Sequence, residues 1–212
     1  RSLFILLELL NTSSRTDFPD HVTIGFSEIR SGLSNELLSE NEGEEWKKFT
    51  NQQRKDEYLS ARYLFKEMLI ASGLSSEFEI RKHPLGKPYA QNGNETLFVS
   101  FSHSKNHVFC AISESTDIGI DTEWLDRKVD QRIVKRILGE TEWDVFSDED
   151  PILLWTIKEA AEKCLGTGLR TNLKELEIQK KNHIQFLVRI NDEKTFQICS
   201  FQELNHQISI AY

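Results

Sequence analysis

Apolar and polar positions along the first half of the chain predict strands followed by one long helix. Residues 3–10 are apolar and are interpreted as a first strand rather than a signal peptide, because no small-residue cleavage site accompanies them. Residues 22–29 alternate at the period of a strand. Residues 44–72 carry apolar side chains at helical spacing, and Gly73 can end that helix. A short strand is predicted at 78–82.

Further strands, a second long helix and a last group of strands follow along the chain. Three apolar runs rich in β-branched and aromatic residues lie between Phe98 and Trp124, and these are predicted to be buried strands. A group of acids before Pro151 marks the start of a helix that ends near Gly166. Four further strands are predicted at 175–180, 184–190, 195–203 and 207–212. The order fits an α+β fold with two similar halves and a crevice between them.

Polar residues with useful chemistry interrupt the central strands at Ser102, His103, Asp121 and Glu123. Side chains two residues apart share one face of a strand, so the carboxylates of Asp121 and Glu123 point the same way. Two such carboxylates repel each other unless a cation lies between them. The alternative is that one of the two faces solvent at a strand end.

The helix predicted after the central strands supplies a third acid. Trp155, Glu159 and Lys163 are spaced four apart and form one ridge, which Lys158 and Glu162 flank. Taken alone, the pair formed by Glu159 and Lys163 is better interpreted as a surface ion pair, worth about 0.3–0.5 kcal/mol. A functional role for the pair follows only if it shares a site with Asp121 and Glu123.

Four motifs occur in the order and spacing of one protein family. They are Gly86-Lys87-Pro88-Tyr89, Phe101-Ser102-His103-Ser104, Gly119-Ile120-Asp121-Thr122-Glu123 and residues 155–163. In these motifs the chain resembles the 4′-phosphopantetheinyl transferase superfamily, in its larger single-chain, surfactin-synthetase-activating type. The resemblance implies two halves related by a pseudo-twofold axis, residues 1–117 and 118–212. Each half would pack an antiparallel sheet on helices, with the active site in the cleft between them.

The resemblance also implies an activity and a metal. The activity is transfer of 4′-phosphopantetheine from coenzyme A to a serine of an apo acyl or peptidyl carrier protein, with release of adenosine 3′,5′-bisphosphate. The carrier protein would belong to fatty-acid, polyketide or nonribosomal peptide assembly. Mg²⁺, with Mn²⁺ as an alternative, would be held by Asp121, Glu123 and Glu159. Asp121, Glu159 and Lys163 are the implied catalytic residues, and Glu159 would accept the serine proton directly or through a metal-bound water. A non-catalytic binding homologue and a metal-dependent phosphoesterase stay open as alternatives.

A set of residues that bind coenzyme A follows from the same resemblance: Arg62, Lys87, Pro88, Ser102, His103, Lys158 and Lys163. Lys158 and Lys163 would hold the pyrophosphate, Ser102 and His103 would contact phosphate oxygens, and Arg62 would lie near the nucleotide end. Arg54 and Lys55 are looser candidates on the same helix as Arg62. On spacing alone, Arg62 is equally well a base on a solvated helix face, and Lys87 an ordinary lysine of a turn.

Composition excludes several other classes of protein. The chain has 212 residues and a net charge of −8, which argues against a nucleic-acid binder with its basic face. Its three cysteines are far apart in the sequence, so a reducing cytoplasm is favoured over a disulfide framework. No apolar run is long enough to span a bilayer. The resemblance implies a monomer, because the two halves of one chain build the site that shorter relatives build between subunits.

Overall fold

Two antiparallel sheets form the framework of the computed structural model, which describes residues 8–9, 18–191 and 193–212. Within those residues the first sheet has six strands, and the second has five. The strands of the first sheet are β1 (Glu8–Leu9), β2 (Val22–Glu28), β3 (Glu79–Lys82), β4 (Pro88–Asn92), β5 (Glu95–Ser104) and β6 (His107–Ser113), in the spatial order β1-β2-β6-β5-β4-β3. Of the strand predicted at 3–10, all but residues 8 and 9 lie outside the described residues.

The second sheet and the helices complete the fold. The strands are β7 (Gly119–Trp124), β8 (Leu176–Lys180), β9 (Gln185–Ile190), β10 (Lys194–Glu203) and β11 (His206–Ala211), in the order β7-β11-β10-β9-β8. The helices are α1 (Glu40–Lys47), α2 (Gln52–Ala71), α3 (Gln131–Ile137), α4 (Glu140–Phe146) and α5 (Pro151–Leu165). No helix of the described part of the chain has the length and apolar character needed to cross a membrane.

The two halves repeat one topology. Each begins with a strand, continues into a long helix, and ends with four strands in which the last pairs with the first. In the first half these elements are β2, α2 and β3–β6, and in the second they are β7, α5 and β8–β11. This repetition confirms the predicted α+β fold of two similar halves. The predicted boundary between residues 117 and 118 falls in the link between β6 and β7.

Local capping explains where the long helices begin and end. The side chain of Asn51 accepts hydrogen bonds from the backbone N–H groups of Gln53 and Arg54, so α2 starts there. The helical pattern predicted over 44–72 is therefore two helices, and the single long helix was wrong. The predicted start and end of α5 are confirmed, because Asp150 caps its first turn and Gly166 ends it with φ of 77°.

Three apolar clusters hold these elements together. One lies between α2 and the first sheet, and one surrounds α5 and the second sheet. The third joins the two sheets and contains Ile24 and Phe26 of β2, Ile120 of β7 and Phe201 of β10. Apolar side chains therefore fill one region of the interface between the two sheets. The polar site described below lies in another region of the same interface.

Gly119 lets α5 lie directly against β7. A Cβ atom added to Gly119 would lie 2.1 Å from the carbonyl oxygen of Ala160 and 2.5 Å from the backbone nitrogen of Cys164. We expect Gly119→Ala to push α5 away from the strand and to lower the free energy of unfolding by about 1–3 kcal/mol, measured by urea denaturation.

Gly43→Ala is the matched control for this substitution. Gly43 lies within α1, and an added Cβ meets nothing within 4 Å. Since alanine is the better helix former, this variant should be as stable as the parent or up to about 1 kcal/mol more stable. Equal stability of the two variants would contradict the close packing of α5 on β7.

Candidate active site

Two serines of β5 connect the sheets beside Asp121. The Oγ of Ser100 accepts a hydrogen bond from the backbone N–H of Ile120 at 3.0 Å, and the Oγ of Ser102 accepts one from the N–H of Thr122 at 3.1 Å. Ser102 also donates to Oδ1 of Asp121 at 3.3 Å. These contacts fix β7 against β5 and bring the motif residues Ser102 and Asp121 together.

Lys163 of α5 links both halves at this junction. Its Nζ donates to Oδ1 of Asp121 at 2.7 Å and to the carbonyl oxygen of Ile120 at 2.9 Å, both on β7. A longer bond of 3.4 Å reaches the carbonyl oxygen of Phe101 on β5. The ammonium group therefore lies where the first half, the second half and α5 meet.

The three predicted metal ligands influence one another electrostatically. Burial, followed by the charge of Asp121, raises the pKa of Glu159 to about 7. Burial also raises the pKa of Glu123, although Arg127 forms an ion pair with it and acts in the opposite direction. Asp121 as a whole residue is 7% exposed. The three carboxyls thus repel one another in a partly desolvated place.

An unsatisfied oxygen tests whether this group suits a divalent cation. The Oδ2 atom of Asp121 is buried and has no hydrogen-bond partner among the described residues, which is costly unless something else meets it. Carboxylate oxygens are the donors that Mg²⁺ prefers. No three acidic, histidine or cysteine side chains of the described residues are gathered closely enough to form a ready-made metal site. The donor chemistry therefore fits Mg²⁺, for which Asp121, Glu123 and Glu159 would be the protein ligands.

A charged group containing His103 lies next to the junction. Arg54 Nη1 is 2.9 Å from His103 Nε2 and donates to Oε2 of Glu57 at 2.8 Å. Glu57 is buried, and burial lowers the pKa of His103. The sequence analysis names Arg54 only as a looser candidate for binding coenzyme A. It does not predict Glu57, because this residue lies within one helical turn of Arg54 but outside the four motifs.

Arg62 lies in the wall of a cavity of about 290 Å³. Its Nε donates to Oε1 of the buried Glu42 at 3.0 Å, and its guanidinium lies 3.9 Å from the ring centre of Tyr58. We call this space the Arg54 cavity; its wall includes Arg54, Glu57, Arg62, Phe101, Ser102, His103 and Lys163. The structure thus brings Arg62, Ser102, His103 and Lys163 to one cavity.

Lys87 holds the end of α5. Its Nζ forms an ion pair with Asp117 and donates to the carbonyl oxygen of Cys164 at 2.5 Å. The side chain crosses Gly166 so closely that a Cβ there would lie 2.5 Å from Cδ of Lys87. Lys87 and Pro88 both line a second cavity, but the ammonium group is directed to Asp117 and the helix end. A phosphate would have to displace those partners.

The structure changes the role that the sequence analysis predicts for Lys158. It is 0% exposed, and its Nζ donates to Oε2 of Glu142 at 2.6 Å and to the carbonyl oxygens of Ile137 at 2.6 Å and Leu173 at 3.0 Å. All three donors of the ammonium group are used inside the second half. The predicted contact of Lys158 with the pyrophosphate is therefore wrong, and the residue instead fastens α5 to its neighbours.

Comparison with known proteins identifies a family that the second half of the chain resembles. Residues 117–212, which contain β7 and α5, match the model of the 4′-phosphopantetheinyl transferase superfamily. The predicted resemblance to that superfamily is therefore confirmed over these residues. The match includes Asp121, Glu123, Glu159 and Lys163.

Three curated relatives show where the similarity extends. The 4′-phosphopantetheinyl transferase HetI of Nostoc sp. is 34% identical over 111 residues, which is 48% of this chain and 45% of the relative. The 4′-phosphopantetheinyl transferase gsp of Aneurinibacillus migulanus is 29% identical over 154 residues, 66% of this chain and 61% of the relative. A holo-[acyl-carrier-protein] synthase of Photorhabdus laumondii is 44% identical over 48 residues, 20% of this chain and 38% of the relative. The matched region thus spans less than two thirds of the length of these relatives.

Proposed function

We propose that this chain transfers 4′-phosphopantetheine from coenzyme A to a serine hydroxyl of an apo acyl or peptidyl carrier protein and releases adenosine 3′,5′-bisphosphate. The observation that carries the proposal is the position of Lys163. It contacts Asp121 at the junction of the halves, and it lines both the Arg54 cavity and the cavity beside Lys87 and Pro88. An elongated substrate with a pyrophosphate in its middle suits two cavities that share a cation.

The transfer exchanges one phosphorus–oxygen bond for another. The serine oxygen forms a bond to the β-phosphorus of coenzyme A, and the bond from that phosphorus to the bridging oxygen breaks. The electron pair leaves with adenosine 3′,5′-bisphosphate, while the serine proton passes to a carboxylate. We assign that proton to Glu159, which α5 carries one helical turn before Lys163.

The remaining residues bind and orient the substrate. Lys163 would neutralise the pyrophosphate, and Ser102 and His103 would contact phosphate oxygens on the side of the Arg54 cavity. Asp121, Glu123 and Glu159 would hold Mg²⁺, or Mn²⁺, and the bound ion would supply charge neutralisation at the reacting phosphate. Arg62, together with Arg54, would lie near the nucleotide end, where their guanidinium groups suit phosphate.

Two further properties belong to the proposal. A monomer is expected, because residues of both halves of one chain meet at Lys163. The cytoplasm is the proposed location, and the burial of all three cysteines is compatible with a reducing compartment. The carrier protein would be a partner of acidic character, whereas nucleic acids and membranes are not proposed as partners.

A transfer assay tests the function. The protein would be mixed with coenzyme A, Mg²⁺ and an apo carrier protein, and the carrier mass measured by mass spectrometry. We expect a gain of one phosphopantetheine on the carrier, which chelation of the metal abolishes. Glu159→Gln should lose turnover by about 10²–10³-fold while binding coenzyme A nearly as well as the parent.

The other outcomes separate the alternatives. Cleavage of coenzyme A without a mass gain on the carrier would indicate a metal-dependent phosphoesterase. Binding of coenzyme A or carrier with neither reaction would indicate a non-catalytic homologue. Either result, obtained with several carrier proteins, would contradict the proposed transfer.

A further inference from the structure

Glu57 is a buried acid in the wall of the Arg54 cavity, and the proposed reaction gives it no role. Its Oε2 atom accepts from Nη1 of Arg54 at 2.8 Å and lies 3.5 Å from Nε2 of His103. Its other oxygen, Oε1, accepts from the side-chain amide of Gln53 at 3.1 Å. A fixed carboxylate is thus adjacent to two groups that suit phosphate, although its own charge repels phosphate.

The contact between Arg54 and His103 indicates the form of the histidine in the free protein. Nη1 of Arg54 is 2.9 Å from Nε2 of His103, and a guanidinium group can only donate, so Nε2 accepts and the ring is neutral. Partial burial is the largest cause that lowers the pKa of His103, and the charges of Arg54 and Lys163 act in the same direction, whereas Glu57 and Asp121 oppose them. The imidazole is still 47% exposed, so a ligand in the cavity can reach it.

We propose that Glu57 is a positioning residue that couples the binding of a terminal phosphate in the Arg54 cavity to the uptake of a proton by His103. The inference rests on the proposed function, and it adds a residue that lies outside the four motifs. A phosphate dianion draws the N–H of Arg54 away from Nε2 of His103. A proton from the solvent then binds to Nε2, and this new N–H donates to the phosphate.

Glu57 supports this exchange in two ways. A guanidinium group has five N–H donors, so Arg54 can keep its bond to Glu57 and direct other donors to the phosphate. The carboxylate also offsets the positive charges of Arg54 and Lys163, which favours an imidazolium at His103. An acid that merely lay nearby would only repel the phosphate, so its removal would strengthen binding. Removal of a positioning residue weakens binding instead.

Two ligands that differ by one phosphate test the coupling in calorimetric titrations. Coenzyme A carries a phosphate monoester on its ribose, and 3′-dephospho-coenzyme A lacks it. At about pH 7.5 the free monoester is already a dianion, because its second pKa is about 6, so protons taken up on binding belong to the protein. Titration in two buffers of different ionisation enthalpy counts these protons. We expect the parent to take up more protons with coenzyme A than with the dephospho ligand.

Glu57→Gln is the main variant, because glutamine keeps the shape of the side chain and an acceptor for Arg54 but carries no charge. We expect it to bind coenzyme A about fivefold more weakly, to lose most of the proton uptake, and to bind 3′-dephospho-coenzyme A like the parent. Glu57→Asp retains the charge and should retain the proton uptake. Asp56→Asn removes an acid from the adjacent position of α2, outside the wall of the cavity, and should change neither affinity nor uptake.

Several results would overturn the inference. Tighter binding of coenzyme A by Glu57→Gln would make Glu57 only a repulsive neighbour, and an equal loss for both ligands would indicate a general structural effect. Unchanged proton uptake by Glu57→Gln would separate Glu57 from His103. A parent that transfers phosphopantetheine but takes up no proton refutes the inference and leaves the proposed function intact, whereas a parent that binds neither ligand removes both. Thermal unfolding shows that each variant is folded.

Discussion

Asp121→Asn should lower kcat/KM for transfer to a carrier protein by about 10²–10³-fold or more. Asparagine keeps the shape of the side chain, and its Oδ1 can still accept from Lys163 and Ser102 as Asp121 does. The substitution removes the negative charge and replaces the unsatisfied Oδ2 with an amide nitrogen that cannot bind a cation. The effect should therefore appear in catalysis and in metal binding rather than in the fold.

Thermal unfolding with and without Mg²⁺ checks the metal part of this prediction. A cation that binds only the folded protein raises its melting temperature, so Mg²⁺ should stabilise the parent and not Asp121→Asn. Asp144→Asn, on the exposed face of α4, is the control that keeps both activity and the response to Mg²⁺. Full activity of Asp121→Asn would refute the assignment of Asp121 as a metal ligand.

Lys158→Met should destabilise the protein by about 3–5 kcal/mol, because it leaves the carboxylate of Glu142 buried without its cation. Glu142 would keep bonds from the backbone N–H groups of Gly139 and Ile178, each at 2.8 Å, but these do not neutralise its charge. Urea denaturation measures the loss. Replacing both partners, as in Glu142→Gln with Lys158→Met, should recover part of it, since no unpaired charge then remains.

An exposed lysine nearby provides the comparison. Lys174→Met should stay within about 0.5 kcal/mol of the parent, because Lys174 is exposed. If Lys158→Met kept its stability and lost only affinity for coenzyme A, the predicted contact of Lys158 with the pyrophosphate would have to be reinstated.

The acids of the candidate site could be predicted because short-range geometry determines their directions. Asp121 and Glu123 are two residues apart on β7, and Glu159 and Lys163 are four apart on α5. The prediction that β7 and α5 contribute to one site came from the family resemblance of the motifs. The contact between Lys163 and Asp121 in the structure agrees with that grouping. The metal itself stays a prediction.

Long-range partners explain what could not be predicted. Lys158 precedes Glu159 directly, yet its side chain is directed to Glu142, sixteen residues earlier, and no pattern of the sequence reveals that pair. The ammonium group of Lys87 similarly contacts Asp117 and the carbonyl oxygen of Cys164 at the end of α5. Glu162 was noted only as a neighbour of the ridge, because its unsatisfied oxygen is visible only in three dimensions. The break between α1 and α2 was missed although Asn51 marks it as a helix cap.

The repeated topology also produces a second junction, whose residues differ from those of the candidate site. The hairpin β5–β6 matches the hairpin β10–β11 when their two-residue turns are superimposed, so Ser100 and Ser102 correspond to Cys199 and Phe201. Strand β2 pairs with β6 as β7 pairs with β11, so Asp121 corresponds to Gly25. Cys199 and Phe201 belong to the apolar cluster between the sheets, and Gly25 offers no carboxylate. One of the two related junctions thus cements the sheets through apolar side chains, while the other holds hydroxyl, carboxylate and ammonium groups.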